Sequence, residues 1–243
     1  MVKYLILIIM HLLGDFYLQS TKVAQCKNAS KRSGCEKCKK CKDHSWINWE
    51  YLFVHSLLYV VPFLGLYLIM GGRDVKGILG ILFVTHILID ATSCYFNKKN
   101  KQTIVFIVDQ ALHVGILCLI PRFVTISYNV DGCYYAALKI VFAFLMLIMP
   151  CSIMVNKLFK DTYPQSNEMG MFDIGSIIGV MERILTFIFA CFESFPVIAI
   201  IITVKTWART NDLKEAEFRN KYLLGTLTSL VLALIIFSIY KSI

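Results

Sequence analysis

Apolar runs recur along the chain at 3–19, 51–70, 76–96, 103–120, 134–156, 174–192 and 222–240, and polar stretches separate them. A helix of roughly 20 apolar residues crosses the hydrocarbon core of a bilayer. The pattern therefore predicts about seven spans. An eighth apolar piece, 195–206, follows Pro196 and is short for a span, so it reads as a tilted or re-entrant segment. The expected fold is all-α, a polytopic transmembrane helix bundle. It forms a single integral membrane domain over 1–243, with a basic Cys-rich loop inserted at 20–48.

The polar residues inside the apolar runs carry most of the information. His11 and Asp15 interrupt the first run, His86 and Asp90 the third, and Asp109 and His113, in reverse order, the fourth. Residues four apart lie one turn apart on the same helix face. Four of the five histidines, His11, His55, His86 and His113, sit in apolar segments. Ionisable side chains in membrane segments are expensive and as a rule face a functional interior. Solvation alone would place them elsewhere.

Composition agrees with the pattern. The chain is 57% hydrophobic and only 17% charged, where a soluble domain carries about 25% charge. The net charge of +9 does not call for nucleic acid, because Lys and Arg lie between the apolar runs and there act as topology signals. The first run resembles a signal peptide behind Lys3, but His11 and Asp15 break its apolar core and no small-residue cleavage site follows. It is expected to be retained as a span.

Placing the basic loops at 20–50, 97–101, 157–160 and 205–221 in the cytoplasm sets the orientation. The first and third spans then run inward and the fourth outward. In all three the Asp lies nearer the cytoplasm and the His one turn deeper. His55 falls near the Asp layer and Glu182 of the sixth span near the His layer. The expected location is the bacterial cytoplasmic (inner) membrane, multi-pass, with the cluster toward the cytoplasmic side.

Carboxylates and imidazoles converging from several helices form a metal-ligand inventory. Imidazole suits zinc and similar ions, and carboxylates add affinity for manganese or magnesium. His11, Asp15, His86, Asp90, Asp109 and His113 are the expected ligands of a divalent metal ion. His55 and Glu182 are expected as further ligands or as catalytic acid/base groups. Arg183, Lys205 and Arg209 are candidates for holding a phosphate. Against this stands the reading in which buried His–Asp pairs only join helices. For the cations the competing readings are a Glu182–Arg183 brace and interfacial snorkelling. Gly175 and Gly179 predict a small-residue surface for close helix approach.

The loop residues Cys26, Cys35, Cys38 and Cys41, with His44, suffice for a separate tetrahedral zinc site. Their spacing is not that of a standard zinc ribbon. Free or redox-active thiols, favoured by the neighbouring lysines, and a cluster cofactor are the alternatives.

The sequence resembles a bacterial membrane-protein family known as domain of unknown function 3307. The resemblance rests on His11-Leu-Leu-Gly-Asp15-Phe-Tyr-Leu-Gln19, His55, His86-Ile-Leu-Ile-Asp90 and Asp109-Gln110-Ala-Leu-His113. Gly179-Val-Met-Glu182-Arg183 and Lys205…Gly225-Thr226 are similar to the C-terminal half of longer members. The resemblance implies an integral membrane protein and no established activity. It also marks the Cys-rich loop as an insertion.

Three functions compete on these residues. The first is a metal-dependent hydrolase acting on a lipid or lipid-linked phosphate, with membrane lipids as partners. The second is a divalent-cation or proton transporter. The third is a structural or partner-binding membrane protein in which the His–Asp pairs act as helix glue.

Overall fold

The computed structural model describes residues 1–20, 23, 47–70, 75–96, 101–123, 132–164 and 174–243. Among them all regular structure is helical. The helices are α1 Val2–Leu12, α2 Trp49–Met70, α3 Val75–Phe96, α4 Gln102–Phe123, α5 Gly132–Thr162, α6 Ile174–Cys191, α7 Phe195–Ala208 and α8 Ala216–Ser242. The Cys-rich loop, with Cys26, Cys35, Cys38 and Cys41, lies outside the described residues.

Among the described residues six helices, α2 to α6 and α8, are long and apolar enough to cross a membrane. The chain is a multi-pass transmembrane helix bundle. The departure from seven spans lies in the first segment. There α1 has 11 residues and passes at Leu13 into a five-residue π-helix, Leu13–Tyr17. α7, with 14 residues, would rise only about 21 Å. It follows α6 through a tight turn in which Glu193 takes a φ of 56°.

The distribution of polarity is that of a protein solvated by lipid. His11, His55 and His86 are almost wholly buried, whereas Phe53, Leu57, Leu88, Ile104, Leu227 and Val231 are exposed. A water-soluble protein arranges these classes the other way round. Helices suit this setting because they satisfy their backbone hydrogen bonds internally.

By its contacts the chain divides into two compact units, Met1–Leu138 and Lys139–Ile243. In the first, α2 packs on α3, α3 on α4, and α1 on both α2 and α4. Its apolar core joins Leu7, Tyr59, Phe63, Leu82, Leu117 and Ile120. Gly14 allows the closest approach in this unit, since a Cβ there would meet the Tyr59 carbonyl oxygen at 2.6 Å. In the second unit, α6 packs on α8 and α7. Ala143, Leu147, Cys151, Phe187, Leu232 and Ala233 form its core. The close approach expected at Gly175 and Gly179 is not found. Among the described residues nothing comes within 4 Å of a Cβ at Gly175, and at Gly179 only Arg183 does.

Candidate metal centre

In the first unit, α1 to α4 each contribute to one buried polar cluster. His55 sits at its middle. Its Nε2 lies 3.1 Å from Asp15 Oδ1, 3.3 Å from Asp90 Oδ2 and 3.0 Å from His86 Nε2. His86 Nε2 is in turn 3.6 Å from Asp90 Oδ2. These four atoms come from three segments of chain, the π-helix at Leu13–Tyr17, α2 and α3, and each residue is almost wholly enclosed.

The spacings carry a chemical meaning. One imidazole N–H on His55 cannot serve two carboxylate oxygens and a second ring nitrogen at once. Lone pairs therefore face one another in a place where water is excluded. For metal bonds of roughly 2.0–2.1 Å, the edge of a tetrahedron is about 3.3–3.4 Å. The four observed separations of 3.0–3.6 Å bracket that edge. Two triads, Asp15–His55–His86 and His86–Asp90–His113, bring their ligand atoms within 4.8 Å of one another. These buried groups could hold a metal ion, and the donor set fits one.

His113 supplies a second observation. Its Nδ1 donates to the Asp109 backbone carbonyl at 2.9 Å. In the neutral ring that bond fixes the tautomer and leaves the lone pair on Nε2. His113 Nε2 is buried without a hydrogen-bond partner and faces Asp90 Oδ1 at 4.0 Å. An orphaned buried lone pair is uncommon. This one points at the cluster.

His11 and Asp109 stand around this group. His11 Nε2 meets Gln110 Oε1 at 3.1 Å, and its Nδ1 meets the Tyr59 hydroxyl at 3.3 Å. Both of its ring nitrogens are therefore engaged. Gln110 Nε2 donates to Asp15 Oδ2 at 2.8 Å and to Asp109 Oδ2 at 3.1 Å. Ser93 donates to the other oxygen of Asp109 at 2.5 Å. Gln110 thus ties His11, Asp15 and Asp109 together and fixes how the carboxylates face the histidines.

The layering expected from the sequence is visible within this unit. The rings of His11, His86 and His113 neighbour one another, at 5.3 Å and 4.6 Å between centroids. His55 lies with Asp15 and Asp90. One detail differs. Asp15 reaches across to His55 on α2 from a π turn, in which Leu18 N–H bonds Leu13 O. Such π turns often occur at functional sites.

Two residues of the site escaped the sequence reading. The Tyr59 ring stacks flat on His86, 3.7 Å between centroids and 5° between planes, while its hydroxyl reaches His11. Its position four residues after His55 places it on the same face, a signal available in the sequence. Ser93, three residues after Asp90, offers the same signal.

The other expected site residues belong to the second unit. Glu182 pairs with Lys205 at 2.7 Å, not with Arg183. Arg183 is buried and donates from Nε to Leu147 O at 2.9 Å, from Nη1 to Ser229 at 3.3 Å and from Nη2 to Ser152 at 2.6 Å. Arg209 is exposed and pairs with Asp212 at 3.3 Å.

Fold and site together define a class: a multi-pass helical membrane protein with buried His/Asp groups able to hold a metal. A family model described as "Protein of unknown function (DUF3307)" matches residues 4–141, more than half of the chain, and the chain belongs to that family. The matched span contains the whole His/Asp cluster. No curated protein and no solved structure matches the chain.

Proposed function

We propose that the protein is a membrane-embedded, metal-dependent hydrolase acting on a lipid or lipid-linked phosphate. The observation that carries this reading is the convergence of His55, His86, Asp15 and Asp90 inside the membrane bundle, with four of their six ligand-atom separations at 3.0–3.6 Å. These four residues would hold the ion, with zinc, manganese or magnesium suiting the mixed imidazole and carboxylate set. A bound ion supplies Lewis-acid polarisation of a phosphoryl oxygen and an acidified water.

The remaining residues have separate tasks. His113, with its proton held on Nδ1, presents Nε2 as an acceptor for a proton released at the site. Asp109 and Gln110 orient their neighbours, and His11 anchors Gln110. The proposed location is the bacterial inner membrane with the cluster toward the cytoplasm. The basic stretches between apolar runs support that orientation, which would bring substrate from the cytoplasmic leaflet.

A second reading, transport of a divalent cation or a proton, draws on how completely the cluster is enclosed, since buried intramembrane ionisable groups often mark ion paths. One experiment separates the two. Purified wild type and Asp90→Asn are analysed for bound metal, for release of phosphate from lipid phosphates, and for metal or proton flux in vesicles. The hydrolase reading expects metal and phosphate release in wild type, and loss of both in a folded Asp90→Asn. Flux without hydrolysis supports the transporter. Wild type with no metal, after purification with metals supplied, sinks the hydrolase.

A further inference from the structure

The second unit contains a small cleft, with polar groups set in an apolar wall, that the first unit's chemistry does not use. Glu182, Arg183, Thr186, Lys205, Thr226 and Ser229 line it beside the apolar side chains of Ile201, Ile202 and Leu230. We propose that this cleft binds a phosphate-type oxyanion, the headgroup of an anionic lipid.

The case begins with charge. Lys205 is matched by Glu182 at 2.7 Å, whereas the acceptors of Arg183 are a backbone carbonyl and two serine hydroxyls, all neutral. Among the described residues no carboxylate forms an ion pair with Arg183, so the cleft holds two cations against one anion. A buried guanidinium inside apolar helices is costly without a counter-charge.

Hydrogen bonding points the same way. A guanidinium has five N–H donors and an ammonium three. Arg183 uses three in the bonds above. Lys205 uses two, to Glu182 and to Thr226 Oγ1 at 3.0 Å. Thr226 and Ser229 act in their bonds only as acceptors, so their hydroxyl protons remain to be given. Glu182 is the cleft's one carboxylate. The surplus of donors matches an oxyanion with several acceptor oxygens, which an arginine fork binds well.

The position favours a lipid as the source. Lys205 lies three residues, about one turn, from the end of α7. Exposed Trp207 and Arg209 mark that end as interfacial. The apolar wall of Ile201, Ile202 and Leu230 offers a surface for acyl chain beside the donors. A free phosphate would use the same donors but leave that wall without a role.

The test uses the full chain in neutral detergent, with native mass spectrometry counting bound phosphatidic acid, phosphatidylcholine or inorganic phosphate. The expected result is one phosphatidic acid per chain, held at least about tenfold more tightly than phosphatidylcholine. Lys205→Gln should weaken it by about tenfold, and Glu182→Gln should tighten it, because the competing carboxylate is gone. Arg183→Gln should abolish binding; should that variant fail to fold, the other two carry the test. A purely structural Glu182–Lys205 brace predicts no gain from Glu182→Gln. Loss of binding in both variants, or equal binding of the two lipids, overturns the proposal. Inorganic phosphate binding as tightly as phosphatidic acid keeps the oxyanion site but overturns the lipid as its source.

Discussion

The two units bury charge inside apolar helices in opposite ways. In the first, carboxylates and imidazoles face each other with too few protons among them, and His113 Nε2 is left without a partner. In the second, Arg183 and Lys205 bring more N–H donors than Glu182 can accept. A surplus of lone pairs calls for a cation, and a surplus of donors for an anion. Membrane burial makes either surplus costly, so each cluster is understood best with a ligand of opposite sign.

The comparison breaks most easily at Asp90. In metal-loaded protein, Asp90→Asn should lower metal affinity by about 100-fold, read by competition with a chelating dye. In metal-free protein the same change relieves lone-pair crowding and should leave the unfolding midpoint unchanged or raised. A lower midpoint in metal-free protein would show that the carboxylate holds the helices together by itself.

Arg183 should behave in the opposite sense. Arg183→Gln removes donors that three helices use and should cost about 2–3 kcal/mol in denaturant unfolding, with or without metal. A loss seen only in metal-loaded protein would overturn this expectation. Gly14→Ala comes next. Its methyl must displace the Tyr59 backbone, so a cost of about 1–3 kcal/mol is expected. Bound metal should fall with it, because Asp15 and Tyr59 move apart; elemental analysis reads this.

Smaller effects sharpen the picture. Tyr59→Phe keeps the ring on His86 and loses only the hydroxyl bond to His11, so about 1 kcal/mol and full metal content are expected. Arg209→Ala removes an exposed pair and should stay within about 0.5 kcal/mol by the same unfolding assay.

Much of this was legible in the sequence because membrane segments and helix faces are local properties. Twenty apolar residues announce a span, and residues four apart announce a shared face, without knowledge of any neighbour. His86–Asp90 and Asp109–His113 were found in that way, and so was the family. The His and Asp layers followed from reversing the order in an antiparallel helix.

What the sequence could not supply were distances and partners between helices. The spacing of His11 and Asp15 suggested a pair on one helix. The structure adds partners on other helices: Asp15 meets His55, and His11 meets Tyr59 and Gln110. For Glu182 and Arg183 the sequence left a metal or phosphate role and a helix brace both open. Residues one apart diverge by about 100° around a helix, and Glu182 finds Lys205 while Arg183 reaches α5 and α8. Gly175 and Gly179 looked like contact points, yet among the described glycines the tight approaches are at Gly14 and Gly225.

By itself, then, the sequence determined the class of protein, the approximate spans, the family and which residues bring ionisable groups into the membrane, because composition and periodicity act along the chain. Only the tertiary structure decided which of those groups meet. The contacts at His55 and Arg183 join residues tens of positions apart, and only packing brings such residues to 2.6–3.3 Å from one another.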